Sequence, residues 1–257
     1  MTTNNRNTKQ KKVPAKENAK KTDLRENRIR VLTEASPYAQ REAYTQLRTN
    51  LLFSVAASNS GCRVFAVTSP NPSEGKSLTA ANIAVSFAML GKKTLLIDAD
   101  MRKPVQHRLW KVAPKNGLSN LLTNVNRCYV SEVEDLPLNI VTAGEIPPNP
   151  SELLTSPRFA RALDHFREKY DFIIIDTPPV NAVADAQIIS PLVDAVVLIA
   201  RSSVTKKEDI LRAKQNITMA GGKIAGVVLN SQNAKSSKYS YRYQKDYASY
   251  KYDYRSE

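Results

Sequence analysis

Lys76 and Ser77 close the run SPNPSEGKS (69–77), which follows directly on the apolar segment RVFAVTS (63–69). Measured back from Gly75–Lys76–Ser77, the spacing is that of a P-loop, G-x-x-x-x-G-K-[ST], with Pro70 where the first glycine usually stands. Such a loop suits phosphate. Backbone N–H groups of the loop and of the helix it opens cradle phosphate oxygens, and the helix dipole adds to the attraction. Pro72, Ser73, Glu74, Gly75, Lys76, Ser77 and Leu78 are therefore the candidate nucleotide-binding residues. Lys76 is placed to reach the β- and γ-phosphates, and the Ser77 hydroxyl to ligate Mg²⁺. Two more acidic motifs follow at the ends of apolar runs. Asp176 ends FIIID, the position from which an acid holds Mg²⁺ directly or through water. Asp98 and Asp100 end TLLIDAD, and side chains two apart on an extended segment point the same way. Both can face the nucleotide, one serving the metal and the other accepting a proton from an attacking hydroxyl. ATP and Mg²⁺ are the implied ligands.

A set of hydroxyls lies at the other end of the chain. Tyr239, Tyr241, Tyr243, Tyr247, Tyr250, Tyr252 and Tyr254 are seven of the eleven tyrosines, interleaved with Lys, Arg, Asp and Ser. The segment has no Leu, Ile, Val or Phe with which to build a core. By composition alone it reads as a solvated aromatic tail. Beside a phosphate-transfer site it reads as a substrate.

The elements that must hold these groups alternate. RVFAVTS (63–69), TLLIDAD (94–100), NIVTAG (139–144), FIIIDTP (172–178), DAVVLIA (194–200) and KIAGVVLN (223–230) have the two-sided apolar character of strands buried between helical layers. Helical patterns fall between them at Ser77–Leu90, Pro157–Tyr170, Asp185–Pro191 and Lys206–Ala220. This order predicts an α/β fold of the P-loop NTPase type, a doubly wound and mostly parallel sheet flanked by helices. Ligands in such sheets lie beyond the carboxyl ends of the strands, where each of these acids falls. An amphipathic helix is expected over Ser36–Ser54, capped by Ser36 with Pro37 at its first position. The prolines at 147, 148 and 150 predict an extended approach to a short helix capped by Ser151. The alternative is that EIPPNPSELL (145–154) shapes the groove that receives the tyrosines.

At 257 residues the chain has room for one substantial α/β domain with tails. The boundaries read as a basic arm over 1–35, the P-loop domain over 36–232 and the tyrosine-rich tail over 233–257. Half of the formal charge of +14 lies in the first 30 residues, which are polar and lack the apolar stretch of a signal peptide. Such an arm attracts anionic surfaces, lipid head groups at about 1 kcal/mol per basic residue or nucleic acid. No apolar run approaches the 18 residues of a membrane span, so a cytoplasmic location is expected. Cys62 and Cys128 have no metal-like spacing, and His107 and His165 sit in charged, helical surroundings that predict the surface.

Taken together, SPNPSEGKS, TLLIDADMR, FIIIDTPP, EIPPNPSELL, the N-terminal EAYTQLRTNLLFS and the tyrosine cluster make the chain resemble the bacterial tyrosine kinases of capsular and exopolysaccharide synthesis. The resemblance covers roughly residues 36–257 and is to the Gram-positive form, in which the kinase is separate from its membrane activator. It implies Asp98 as the base that draws the proton from tyrosine, Arg102 in the catalytic set, and Asp100 and Asp176 on the Mg²⁺ side. It makes the tail tyrosines substrates, phosphorylated in trans within a ring-like homo-oligomer at the inner face of the membrane. Further implied partners are a transmembrane regulator of chain length, a cognate tyrosine phosphatase and protein substrates in sugar metabolism, with no specific nucleic acid. The family's oligomerisation signature E-x-x-R-x-x-R is met by Glu42 and Arg48, with Thr45 where the middle arginine is expected. By analogy with related P-loop ATPases, Asn230 is an adenine contact; a turn cap is the other reading.

No Gly-rich phosphate loop, H-R-D or D-F-G signature of the eukaryotic-type kinases is present. Partitioning-type P-loop ATPases share the expected fold but carry a signature lysine where this chain has Asn71. The remaining alternative is a non-catalytic ATP-binding scaffold of a polysaccharide export complex.

Overall fold

The computed structural model describes residues 31–56, 61–123 and 130–231. The basic arm to residue 30, Cys128 and all seven clustered tyrosines lie outside the described residues. Seven strands form one sheet: β1 (Arg63–Thr68), β2 (Thr94–Asp98), β3 (Ser131–Glu132), β4 (Leu138–Val141), β5 (Phe172–Asp176), β6 (Ala195–Arg201) and β7 (Ile224–Asn230). Their order is β3-β4-β2-β5-β1-β6-β7. Every pairing is parallel except β3 with β4. The six expected strands are present, and the two-residue antiparallel β3 is an addition at the edge.

Strict alternation along the strands feeds two cores. Val64, Ala66, Leu95, Ile97, Ile173 and Ile175 enter one, while Phe65, Val67, Leu96, Ile174 and Val197 enter the other. A parallel sheet covered on both faces demands this two-sided apolar character. The helices are α1 (Tyr38–Ser54), α2 (Lys76–Ala88), α3 (Gln106–Leu109), α4 (Leu118–Leu122), α5 (Pro150–Thr155), α6 (Pro157–Arg167), α7 (Asp185–Ile189) and α8 (Lys207–Met219). Helix α2 is the most enclosed, with only Leu78 among its residues not buried. The Phe87 ring of α2 stacks on Phe172 of β5 with centroids 4.0 Å apart, and on Phe65 of β1 at 6.1 Å.

Helix α1 lies over α2 and is tied to it by polar contacts. Asn82 Nδ2 donates to the Tyr44 hydroxyl at 3.0 Å, and Arg48 Nη1 donates to the Ser86 carbonyl at 2.5 Å. Burial raises the Tyr44 phenol above its ordinary pKa, with hydrogen bonds from Asn82 and Thr79 opposing it.

Two expected caps are corrected. Helix α1 starts one residue later than expected, at Tyr38, because Pro37 is extended at ψ 139° and supplies the capping carbonyl to Gln40 and Arg41. Ser36 turns back instead and accepts the Thr33 N–H at 3.0 Å. Helix α5 starts at Pro150 behind Asn149, leaving Ser151 inside the first turn with its hydroxyl on Asp185 at 2.6 Å. Among the described residues no helix is long and apolar enough to cross a membrane.

Candidate active site

The phosphate loop leaves β1 and enters α2 through Gly75, which adopts the left-handed conformation at φ 90°. Glycine is the residue that takes this conformation without a steric penalty. Asn230, at the end of β7, lies against its α-carbon, and its Nδ2 donates to the Glu74 carbonyl at 2.9 Å. Its Oδ1 accepts the Ser231 N–H at 2.8 Å, so both ends of the amide are engaged behind the loop.

Glu74 is buried, at 2% exposure, and braces the loop from within. Its Oε2 accepts the Asn71 N–H at 2.9 Å, and its Oε1 accepts the Thr205 hydroxyl at 2.6 Å. Asn71 Nδ2 reaches Asp209 Oδ2 at 3.1 Å, and Arg201 Nη1 reaches the Ser73 carbonyl at 3.4 Å. The segment between β6 and α8 therefore walls one side of the loop. Pro72 and Ser73 are exposed at its tip, and Leu78 is half-buried on the helix.

The acids wall the other side. Lys76 Nζ lies 2.9 Å from Asp100 Oδ2 and 3.3 Å from Asp176 Oδ1, and donates to Ser77 Oγ at 3.1 Å. Burial works against the ammonium, but the charges of Asp176 and Asp100 outweigh it and raise its pKa. Parallel pairing sets Asp98 opposite Asp176 across β2 and β5. Asp98 is fully buried: its Oδ1 accepts the Asp100 N–H at 3.2 Å, and its Oδ2 accepts those of Val105 and Gln106 at 3.0 Å each. Burial and then the Asp176 charge push its carboxyl up to about 8, against the pull of those N–H groups and Lys76.

Three residues the sequence reading missed belong to this framework: Gln106, Thr205 and Asp185. Gln106 is fully buried and donates from Nε2 to Asp176 Oδ2 and to the Ser77 carbonyl, both at 2.9 Å. It orients the strand-end carboxylate that the sequence singled out. Thr205 holds Glu74, and Asp185 receives the Arg102 guanidinium at 2.9 Å. None stands in a motif with chemical spacing; only the fold brings them in.

The residues expected to act together are thus assembled on one edge, while Glu42 and Arg48 lie apart on α1. Glu42 Oε1 accepts from Gln46 at 3.4 Å. Arg48 points toward α2.

Known proteins resemble this chain in sequence and in fold. A family model described as an AAA domain matches residues 62–205. The putative tyrosine-protein kinase CapB of Staphylococcus aureus is 42% identical over 209 residues, 80% of this chain and 90% of that protein. Tyrosine-protein kinase YwqD of Bacillus subtilis is 40% identical, covering 80% of this chain and 87% of that protein. The chain belongs to the bacterial tyrosine kinases. Among solved structures, the kinase domain of Escherichia coli Etk matches this kinase with a TM-score of 0.72 at 32% identity, over 77% of this chain and 78% of that one. The chimerical protein CapA2B2 matches at 0.69 and 42% identity, over 76% and 85%. The MinC:MinD complex of Aquifex aeolicus, at 20% identity and a TM-score of 0.55, shares the fold alone. The kinase is thus a P-loop enzyme, with Asp98, Asp100 and Asp176 gathered at the edge that its phosphate loop feeds.

Proposed function

We propose that this kinase transfers the γ-phosphoryl group of ATP to its own clustered tyrosines, 239–254, from one copy of the chain to another in a homo-oligomer. The observation that carries the reading is the Lys76 ammonium held between Asp100 and Asp176, beside the Ser77 hydroxyl. Phosphoryl transfer needs little covalent chemistry from the protein and much positioning and charge neutralisation. Loop amides and Lys76 serve the phosphates.

The donor set also fits Mg²⁺. Two carboxylates, Asp100 and Asp176, share one ammonium, which leaves negative charge for a hard cation, and hydroxyl and carboxylate oxygens are its natural ligands. Ser77, Asp100 and Asp176 would hold it, and when bound it neutralises charge on the phosphate oxygens. Among the described residues no three His, Cys, Asp or Glu side chains form a metal cage. That suits an ion that takes several of its ligands from phosphates and water.

Asp98 is the proton acceptor in this reading. Its carboxyl at about 8 matches a base that works near neutral pH. The tyrosine hydroxyl gives its proton to Asp98 as its oxygen bonds to phosphorus and the bridging oxygen leaves with ADP. For the phenol to reach Oδ2, the Val105 and Gln106 N–H groups must draw away.

Names among the relatives, together with the tail, support a role in capsular or exopolysaccharide synthesis and chain length. A transmembrane activator would then hold the kinase at the inner face of the membrane, with a phosphatase to reverse it. Glu42 and Arg48 on α1 are the proposed intersubunit residues. Asn230, whose amide is engaged behind the loop, is the proposed adenine contact. The deciding experiment is incubation with ATP and Mg²⁺, with and without the activator's cytoplasmic segment, followed by mass-spectrometric mapping. Phosphate at tyrosines 239–254 is expected; none there overturns the reading.

A further inference from the structure

Asp185 opens the short helix α7, is fully buried, and takes no part in the chemistry above. Its carboxylate is shared by Arg102, just after β2, and Ser151, in the first turn of α5. Arg102 Nε meets Oδ2 at 2.9 Å and Nη2 meets Oδ1 at 3.1 Å. The Ser151 hydroxyl donates to Oδ1 at 2.6 Å, and Arg102 Nη2 donates to Ser151 Oγ at 2.8 Å. A carboxylate removed from water is tolerated when it is paired and hydrogen-bonded. The two-pronged geometry also fixes the plane of the guanidinium, which a single contact does not.

One nitrogen is left over. Among the described residues Arg102 Nη1 makes no hydrogen bond or ion pair, and the side chain is 37% exposed. Arg102 follows Asp100 by two residues and feels its charge. A rigidly held cation with spare N–H donors therefore stands at the rim of a site that holds the Asp100 and Asp176 carboxylates. Those carboxylates repel a carboxylate on the acceptor, unless a cation at the rim receives it. In the segment 239–254 the tyrosines differ in their neighbours: Asp246 precedes Tyr247 and Asp253 separates Tyr252 from Tyr254, whereas Arg242 separates Tyr241 from Tyr243 and Lys251 separates Tyr250 from Tyr252.

We propose that Arg102 determines acceptor specificity by binding a carboxylate adjacent to the target tyrosine, and that Asp185 and Ser151 are the positioning residues that hold its guanidinium for that contact. The acceptor class is a tyrosine flanked by Asp or Glu. Because the guanidinium is already fixed, little side-chain freedom is lost on binding. The inference rests on the tyrosine-transfer reading and sharpens it.

The test compares kcat/KM of the full chain for two soluble acceptors, a Glu–Tyr and a Lys–Tyr copolymer. The same comparison is made on the tail, with the Lys76→Met chain as acceptor, with and without Asp246→Asn and Asp253→Asn. The expected preference for the acidic partner is about tenfold, the scale of one charge-assisted contact. Arg102→Gln brings the ratio close to one and Arg102→Lys restores part of it. Asp185→Asn and Ser151→Ala lower the ratio through the KM for the acidic acceptor. A brace with only a structural role slows both acceptors alike, so a ratio unchanged in Ser151→Ala and Arg102→Gln overturns the proposal. Loss of the ratio in Lys103→Gln but not in Arg102→Gln overturns it too. An intact copolymer ratio with a tail that gains no phosphate sinks only the self-phosphorylation reading.

Discussion

Asn230 and Gly75 are in contact across 155 residues of chain, and the asparagine amide fills the space in which a side chain at 75 would stand. The end of the last strand thus sets the limit on the phosphate loop.

Gly75→Ala is therefore expected to lose nucleotide binding by two routes. The left-handed backbone costs a non-glycine residue on the order of 1–2 kcal/mol, and the added methyl displaces Asn230 from the Glu74 carbonyl. Calorimetric titration with ATP tests this; affinity within twofold of wild type contradicts it.

Lys76→Met is expected to abolish phosphotyrosine and also to lower the melting temperature. Without the ammonium, Asp100 and Asp176 lose their shared ion-pair partner in a buried site. Lys76→Arg, which keeps the charge, should recover part of what Lys76→Met loses. Equal melting temperatures for wild type and Lys76→Met count against the pairing.

The Asp98 carboxyl at about 8 has its own signature. A folded-state pKa above the unfolded value means that the native state holds the proton more tightly. The stabilisation is complete below the unfolded value, near 4, and fades as pH rises toward 8. In buffer free of nucleotide and metal, wild type should lose stability across that window while Asp98→Asn loses less. Parallel melting curves for the two proteins across the window argue against a protonated Asp98.

Thr205→Val removes the short bond to Glu74 Oε1 and leaves that oxygen with the Asn71 amide at 3.4 Å. The KM for ATP is expected to rise about three- to tenfold, the scale of one under-satisfied buried polar atom, with a smaller change in kcat. A fall in kcat at constant KM would show that the brace acts on the chemistry instead.

The sheet and its chemical edge were legible because both are written locally. Apolar runs of five to seven residues end in Thr68, Asp98, Asp176 and Asn230, and the strand ends are where the sheet gathers its ligands. Helices α3 and α4, at four and five residues, are too short to show a period, and β3 is shorter still. Ser36 and Ser151 each have the chemistry of a helix cap. Ser36 is taken by the Thr33 N–H three residues back, and Ser151 by a carboxylate 34 residues further on, where a local rule yields to distant structure. Gln106, Thr205 and Asp185 were hidden for the same reason. Their roles come from partners 70 to 131 residues away, which no spacing rule encodes.

Strand β1 lies between β5 and β6, so the phosphate loop it feeds has unlike neighbours on its two flanks. One flank brings Asp176 and Gln106, the other Arg201 and Thr205. Substitutions on the first flank are expected to change the rate constant, and those on the second the affinity for nucleotide. On that expectation, a lineage adjusts this enzyme to the ATP level of its cell without retuning the speed at which it marks its targets.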